Sequence, residues 1–197
     1  MINVPNALTV GRVALALVAC GMLYLPGESL RWASFGLTAF VIWGDGLDGY
    51  FARKLNQTSK LGAILDIAGD RVVEMAYWIV FAVLNWIPVW IPLLFLVRGT
   101  FVDAMRAQAS EKGFTAFGDK TMMETPLGKF LVASNFSRFT YAIVKAVAFC
   151  LIIATHTQFA LESAPWINPV AMACAYAACA FCMVRGLPVL IESRRLF

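Results

Sequence analysis

Apolar residues in this chain fall into long runs of helical length, separated by short polar or proline-containing breaks, with no sustained strand-like alternation. A helix crossing a hydrocarbon core of about 30 Å needs roughly 17–25 residues, and about six runs of that kind can be placed. The first extends from about Leu8 to Leu25 and stops at Pro26-Gly27-Glu28-Ser29. The second starts near Leu30, is strongly apolar through Trp43, and continues through Gly-Asp-Gly-Leu-Asp-Gly towards Arg53. The third runs from near Ser59 to Ile87; Pro88 and Pro92 then bracket a turn before a fourth that ends about Gln108. The fifth covers Pro126 to Ala154 and the sixth Pro165 to Leu190, with Pro188 near its end, where lost hydrogen bonds matter least. The pattern predicts an all-α integral membrane protein, a bundle of about six transmembrane helices.

Composition agrees, since 60% of the 197 residues are apolar and 14% charged, against about 25% charged in soluble domains. Such hydropathy excludes intrinsic disorder, and a length near 200 suits one domain. The net charge of +4 comes from scattered cations, so no nucleic-acid partner is expected. Cys20, Cys150, Cys174, Cys179 and Cys182 are odd in number and lie among apolar residues, which gives no disulfide framework. Cys179 and Cys182 read as packing residues within a stretch of small side chains, Ala171 to Val184. The first run lacks a basic leader apart from Arg12 and reads as a retained helix.

Cations set the expected orientation. Arg53, Lys54 and Lys60 lie between runs two and three, Lys112, Lys120 and Lys129 in or beside the connection after run four, and Arg194 and Arg195 at the C-terminus; the opposite turns carry only Arg31. By the positive-inside rule, both termini are cytoplasmic, and Trp32, Trp86, Trp90 and Trp166 form an outer interfacial belt.

Carboxylates inside spanning helices are costly, about 2.5–3.5 kcal/mol each on insertion scales, so each needs a reason. Asp45 and Asp48 stand at i and i+3, Asp66 and Asp70 at i and i+4, so each pair shares a helix face. A short basic loop joins the two helices, which should bring the pairs together at one depth. Four carboxylates in one pocket cannot all stay ionised unless cations neutralise them. Two divalent ions would do so, and oxygen-only ligation suits Mg²⁺ or Mn²⁺. Structural ion pairing with Arg53 and Arg71 is the plainer alternative.

The stretch Asp45-Gly-Leu-Asp48-Gly49-Tyr-Phe-Ala52-Arg53, eight residues to Gly62, then Asp66 and Asp70 at three-residue intervals, resembles the signature of the CDP-alcohol phosphotransferases at all eight defining positions. Val4 to Thr9 and Arg12 are similar to the opening of bacterial phosphatidylglycerophosphate synthases, as are Arg98 and Glu111-Lys112-Gly113. Arg71 stands where those relatives commonly carry Lys, a feature shared with the phosphatidylinositol phosphate synthase branch. The resemblance implies a single CDP-alcohol phosphotransferase domain over residues 1–197 in a homodimeric enzyme of about six helices. It would sit in the bacterial inner membrane with its site facing the cytoplasm. Such an enzyme moves a phosphatidyl group from CDP-diacylglycerol to an alcohol and releases CMP. By the same resemblance Asp45, Asp48 and Asp66 hold the metals, and Asp70 is the general base, also near a metal. Gly49, Ala52, Arg53 and Gly62 line the cytidine diphosphate pocket.

Arg98, Arg106, Lys129, Arg138 and Lys145 remain without an assigned role. Isolated cations in spanning helices tend to face polar cavities, and Arg and Lys suit phosphate oxygens. Arg98, Lys129 and Arg138 are therefore the expected receivers of a phosphorylated acceptor, glycerol 3-phosphate first and inositol phosphate second, ahead of serine. Pairing with Asp103 or Glu74, or snorkelling to the interface, is the competing reading. The lone His156 reads as a structural interfacial residue, and Glu111 to Thr125 as a solvated connection. A cation transporter is disfavoured because the acids lie towards one face and no inverted repeat is visible.

Overall fold

The computed structural model describes residues 4–44, 54, 60–114 and 121–196, so Asp45, Asp48, Gly49, Ala52, Arg53 and Lys120 lie outside the described residues. The main helices are α1 (Val4–Met22), α2 (Glu28–Trp43), α3 (Lys60–Val83), α4 (Trp90–Glu111), α5 (Asn135–Ala154), the short α6 (Gln158–Ser163) and α7 (Ile167–Glu192). The protein is all-helical among the described residues, and α1, α5 and α7 are long and apolar enough to cross a membrane.

Along α1 and α2 the side-chain distribution is the reverse of that in a soluble protein. On α1 the buried stripe is Pro5, Asn6, Thr9, Arg12, Ala16, Ala19 and Cys20, while Leu8, Val10, Leu15, Leu17 and Val18 are exposed. On α2 the buried residues are Ser34, Thr38 and Val41, with Phe40 and Trp43 outward. Small and polar residues let helices approach and bond where lipid supplies no hydrophobic drive. This is the packing of a membrane protein.

The described residues gather into two compact units, Met1–Val89 with Phe149–Ala171, and Trp90–Ala148 with Met172–Phe197. In the first, α1 packs on α2 and α3. The Ser34 hydroxyl donates to the Ala19 carbonyl at 2.9 Å, and Thr38 Oγ1 shares a 2.9 Å hydrogen bond with the Tyr77 hydroxyl. Tyr77, Trp78, Phe81 and Phe149 form an aromatic core beneath them. α3 ends in a Schellman turn: Asn85 takes positive φ (59°), its N–H bonds the Ala82 carbonyl, and the Trp86 N–H bonds that of Phe81. The turn folds the Trp86 ring back onto Phe81, with centroids 5.8 Å apart, and Trp86 also stacks on His156 at 3.9 Å.

In the second unit, Val102, Ala109, Met122, Met123, Val132 and Val189 make the core. Met122 and Met123 belong to the connection expected to be solvated; its end is instead anchored in this core. Glu192 holds it as well, accepting from Thr125 Oγ1 at 2.5 Å and from the Glu124 N–H at 2.6 Å. The expected continuous helix from Pro126 is also interrupted. A turn at Pro126–Gly128 leads into a π-helical segment, Lys129–Ala133, and Ser134 is extended (φ −68°, ψ 140°) before α5 begins. Side chains take up the freed backbone groups: Ser137 Oγ donates to the Leu131 carbonyl at 2.7 Å, and Ser134 Oγ accepts from the Ser137 N–H.

Candidate active site

In the first unit the site is built on the crossing of α1 and α3. Gly69 presents no side chain to α1, and a Cβ there would lie 3.2 Å from the γ-carbons of both Thr9 and Val13. This close approach puts Arg12, on the same stripe of α1, against the carboxylate face of α3. Its Nη2 donates to Asp70 Oδ1 at 2.7 Å and stands 3.7 Å from Asp66 Oδ1. Arg12 is 8% exposed, whereas the two aspartates are 47% and 48% exposed. The cation is sealed between helices while the carboxylates keep an open side. Among the described residues, then, i,i+4 spacing yields two hard oxygen donors on one open face, a donor set that suits Mg²⁺ or Mn²⁺. Three or more potential ligand side chains do not converge among the described residues, and the other expected pair, Asp45 and Asp48, lies outside them.

Gly62 is half-buried in the first turn of α3, four residues before Asp66. Arg71 pairs with Glu74 at 2.6 Å. The described cation that reaches both aspartates is thus Arg12, from a helix not counted among the site elements in the sequence. Its signal was available: a cation within an apolar helix needs a partner.

The expected phosphate receivers all belong to the second unit. Arg98 is buried (7% exposed), and its Nε donates to the Cys182 carbonyl at 3.1 Å. No further hydrogen bond from its guanidinium is made among the described residues, which leaves its Nη groups as unused donors. Lys129, in the π-helical segment, and Arg138, in the first turn of α5, are exposed. Arg185 on α7 was not anticipated. It is buried, its Nη1 donates to Ser137 Oγ at 2.7 Å and its Nη2 to the Val132 carbonyl at 3.3 Å, and it lies 5.4 Å over the Tyr141 ring. The charges of Arg98 and Arg138 bear on it. Among the described residues, Arg98 and Arg185 have no carboxylate partner. Two buried guanidiniums held by neutral oxygens, with no carboxylate on either among the described residues, make a positively charged region that suits an anion.

Residues 2–184 match the family described as CDP-alcohol phosphatidyltransferase. The chain belongs to this family. A Pseudomonas fluorescens protein named CDP-diacylglycerol--glycerol-3-phosphate 3-phosphatidyltransferase is 30% identical over 169 residues, covering 81% of this chain and 86% of the relative. A Bacillus subtilis protein of the same name is 30% identical over 118 residues, 54% of this chain and 61% of the relative. A Mycobacterium tuberculosis protein provisionally named a cardiolipin synthase is 35% identical over 118 residues, 59% of this chain and 54% of the relative. The expected family membership is borne out: this CDP-alcohol phosphatidyltransferase is a transferase of phospholipid synthesis, with three helices among the described residues long and apolar enough to cross a membrane.

Proposed function

We propose that this phosphatidyltransferase moves the phosphatidyl group of CDP-diacylglycerol to a hydroxyl of glycerol 3-phosphate. The acceptor oxygen bonds to the phosphatidyl phosphorus, the bond from that phosphorus to the bridging oxygen breaks, CMP leaves, and Asp70 takes the hydroxyl proton. The observation that carries the reading is the Asp66 and Asp70 pair on one open face of α3, clasped by buried Arg12, in a chain of this family. Asp45, Asp48, Asp66 and Asp70 would hold two Mg²⁺ or Mn²⁺ ions, which when bound neutralise charge on the diphosphate and the leaving oxygen. Gly49, Ala52, Arg53 and Gly62 would receive the cytidine diphosphate.

A phosphorylated acceptor is supported by the Arg98 Nη donors that no described residue takes up and by the charge of Arg185, which bears on Arg98; Lys129 and Arg138 would add to the same field. The relatives named for glycerol 3-phosphate favour that acceptor over inositol phosphate or serine. The assembly is proposed as a homodimer in a bacterial plasma membrane, with its site on the cytoplasmic side.

Purified protein in lipid or detergent, supplied with CDP-diacylglycerol and Mg²⁺, is to be challenged with glycerol 3-phosphate, inositol phosphate, serine and phosphatidylglycerol. CMP release and a new phospholipid are expected with glycerol 3-phosphate. Asp70→Asn should slow turnover by about a hundredfold or more, the scale of a lost general base. Stimulation by phosphatidylglycerol alone would move the acceptor to a second lipid; stimulation by none would overturn the reading.

A further inference from the structure

Gly186 lies inside α7, and its φ is not in the left-handed region, so its backbone does not require glycine. Glycine within a helix is also locally unfavourable, by about 1 kcal/mol relative to alanine. The neighbouring side chain supplies the reason for it. A Cβ on Gly186 would fall 2.7 Å from Arg98 Nε, 2.8 Å from its Cγ and 3.3 Å from its Cδ. These atoms are the stem of the side chain and not its free end, and Nε is tied to the Cys182 carbonyl one turn earlier on the same helix. Arg98 therefore lies in a notch of α7 whose floor is Gly186.

Arg185 and Arg98 differ in what they can offer a ligand. Arg185 is tethered through both Nη atoms, to Ser137 and to Val132, which fixes its guanidinium against the chain. Among the described residues Arg98 spends Nε alone, which leaves its Nη donors for an anion. Their direction depends on the stem staying in the notch.

Resting on the reading of Arg98 as an acceptor-phosphate ligand, we propose that Gly186 is a positioning residue for Arg98 and thereby sets the enzyme's preference for a phosphorylated alcohol. The added methyl of Gly186→Ala would force the Arg98 stem out of the notch and break the Nε bond to Cys182.

Steady-state kinetics of the full-length protein, Arg98→Ala, Gly186→Ala and the double variant test this, with glycerol 3-phosphate and CDP-diacylglycerol varied in turn. Gly186→Ala should raise KM for glycerol 3-phosphate by about ten- to a hundredfold, the range for loss of a charged hydrogen bond. Its KM for CDP-diacylglycerol and its kcat should move far less. The double variant should match Arg98→Ala alone, because the methyl then has nothing to displace. Additive effects would show that Gly186 acts apart from Arg98 and overturn the proposal. If Arg98→Ala leaves the acceptor KM unchanged, the phosphate role of Arg98 fails, and the proposal with it. If Arg98→Ala raises it and Gly186→Ala does not, the positioning role alone fails. If Gly186→Ala does not fold, recovery of folding in the double variant locates the clash at Arg98, whereas failure of both locates it elsewhere and overturns the proposal.

Discussion

Arg12 and His156 are both ionisable side chains in an apolar chain, and each is accommodated by a partner from another helix or turn. Arg12 is sealed between α1 and α3 and faces both Asp70, at 2.7 Å, and Asp66, at 3.7 Å; removing the cation would leave the two carboxylates to repel each other. His156 lies in the turn after α5, with its ring stacked on Trp86 and its carbonyl accepting from Arg31 Nη1 at 2.5 Å. Burial pushes its pKa below the ordinary histidine value; a hydrogen bond to the Ile152 carbonyl opposes the shift and the Arg31 charge adds to it. The sign of the pH effect follows. Above the ordinary value the ring is neutral in both folded and unfolded chains, and as pH falls the unfolded chain takes the proton first. Stability should therefore fall on acidification and level off below the folded-state pKa. Thermal midpoints measured from about pH 7.5 to about pH 5.5 should decline in the parent protein and flatten in His156→Gln. Because this is the sole histidine, a slope retained in the variant would assign the effect to other groups.

Helix contacts decide how these residues meet. The α1 and α3 crossing depends on Gly69, where even a single methyl group would come within 3.2 Å of Thr9 and Val13. Gly69→Leu should overpack it and lower stability by about 1–3 kcal/mol, with loss of activity because Arg12 is withdrawn from Asp70. Gly36→Leu is the control, since nothing lies within 4 Å of a Cβ there. Detergent-solubilised melting curves that shift equally for both variants would contradict the crossing. Helix positions were legible from hydropathy to within a few residues for α1, α3, α4 and α7, and for the start of α2; the expected continuation of that run towards Arg53 lies outside the described residues. The interruption before α5 was not, because Lys129 to Ala133 is as apolar as a helix needs. What permits the break is hydrogen bonding from Ser134, Ser137 and, 53 residues away, Arg185.

For the molecule as a whole, the six-span reading requires α4 to run from one membrane face to the other. Its 22 residues measure about 33 Å, long enough to span despite the charges it carries. Val89→Cys and Ser110→Cys, at exposed positions at or just before its ends, should react with an impermeant thiol reagent from opposite sides of sealed vesicles. Labelling from the same side would remove α4 from the spans and reverse the expected arrangement of the termini. The class of protein, the aspartate pairs and the family signature were all readable in the sequence by itself, because hydropathy runs and i,i+3 or i,i+4 spacings are local properties of a helix. Tertiary structure alone decided that Arg12 answers Asp70 across 58 residues and that Arg98 bonds Cys182 across 84. It also showed that Gly186 leaves the space Arg98 occupies. Such pairings depend on which helix faces abut, and a buried charge takes its partner from whatever the packing brings within reach.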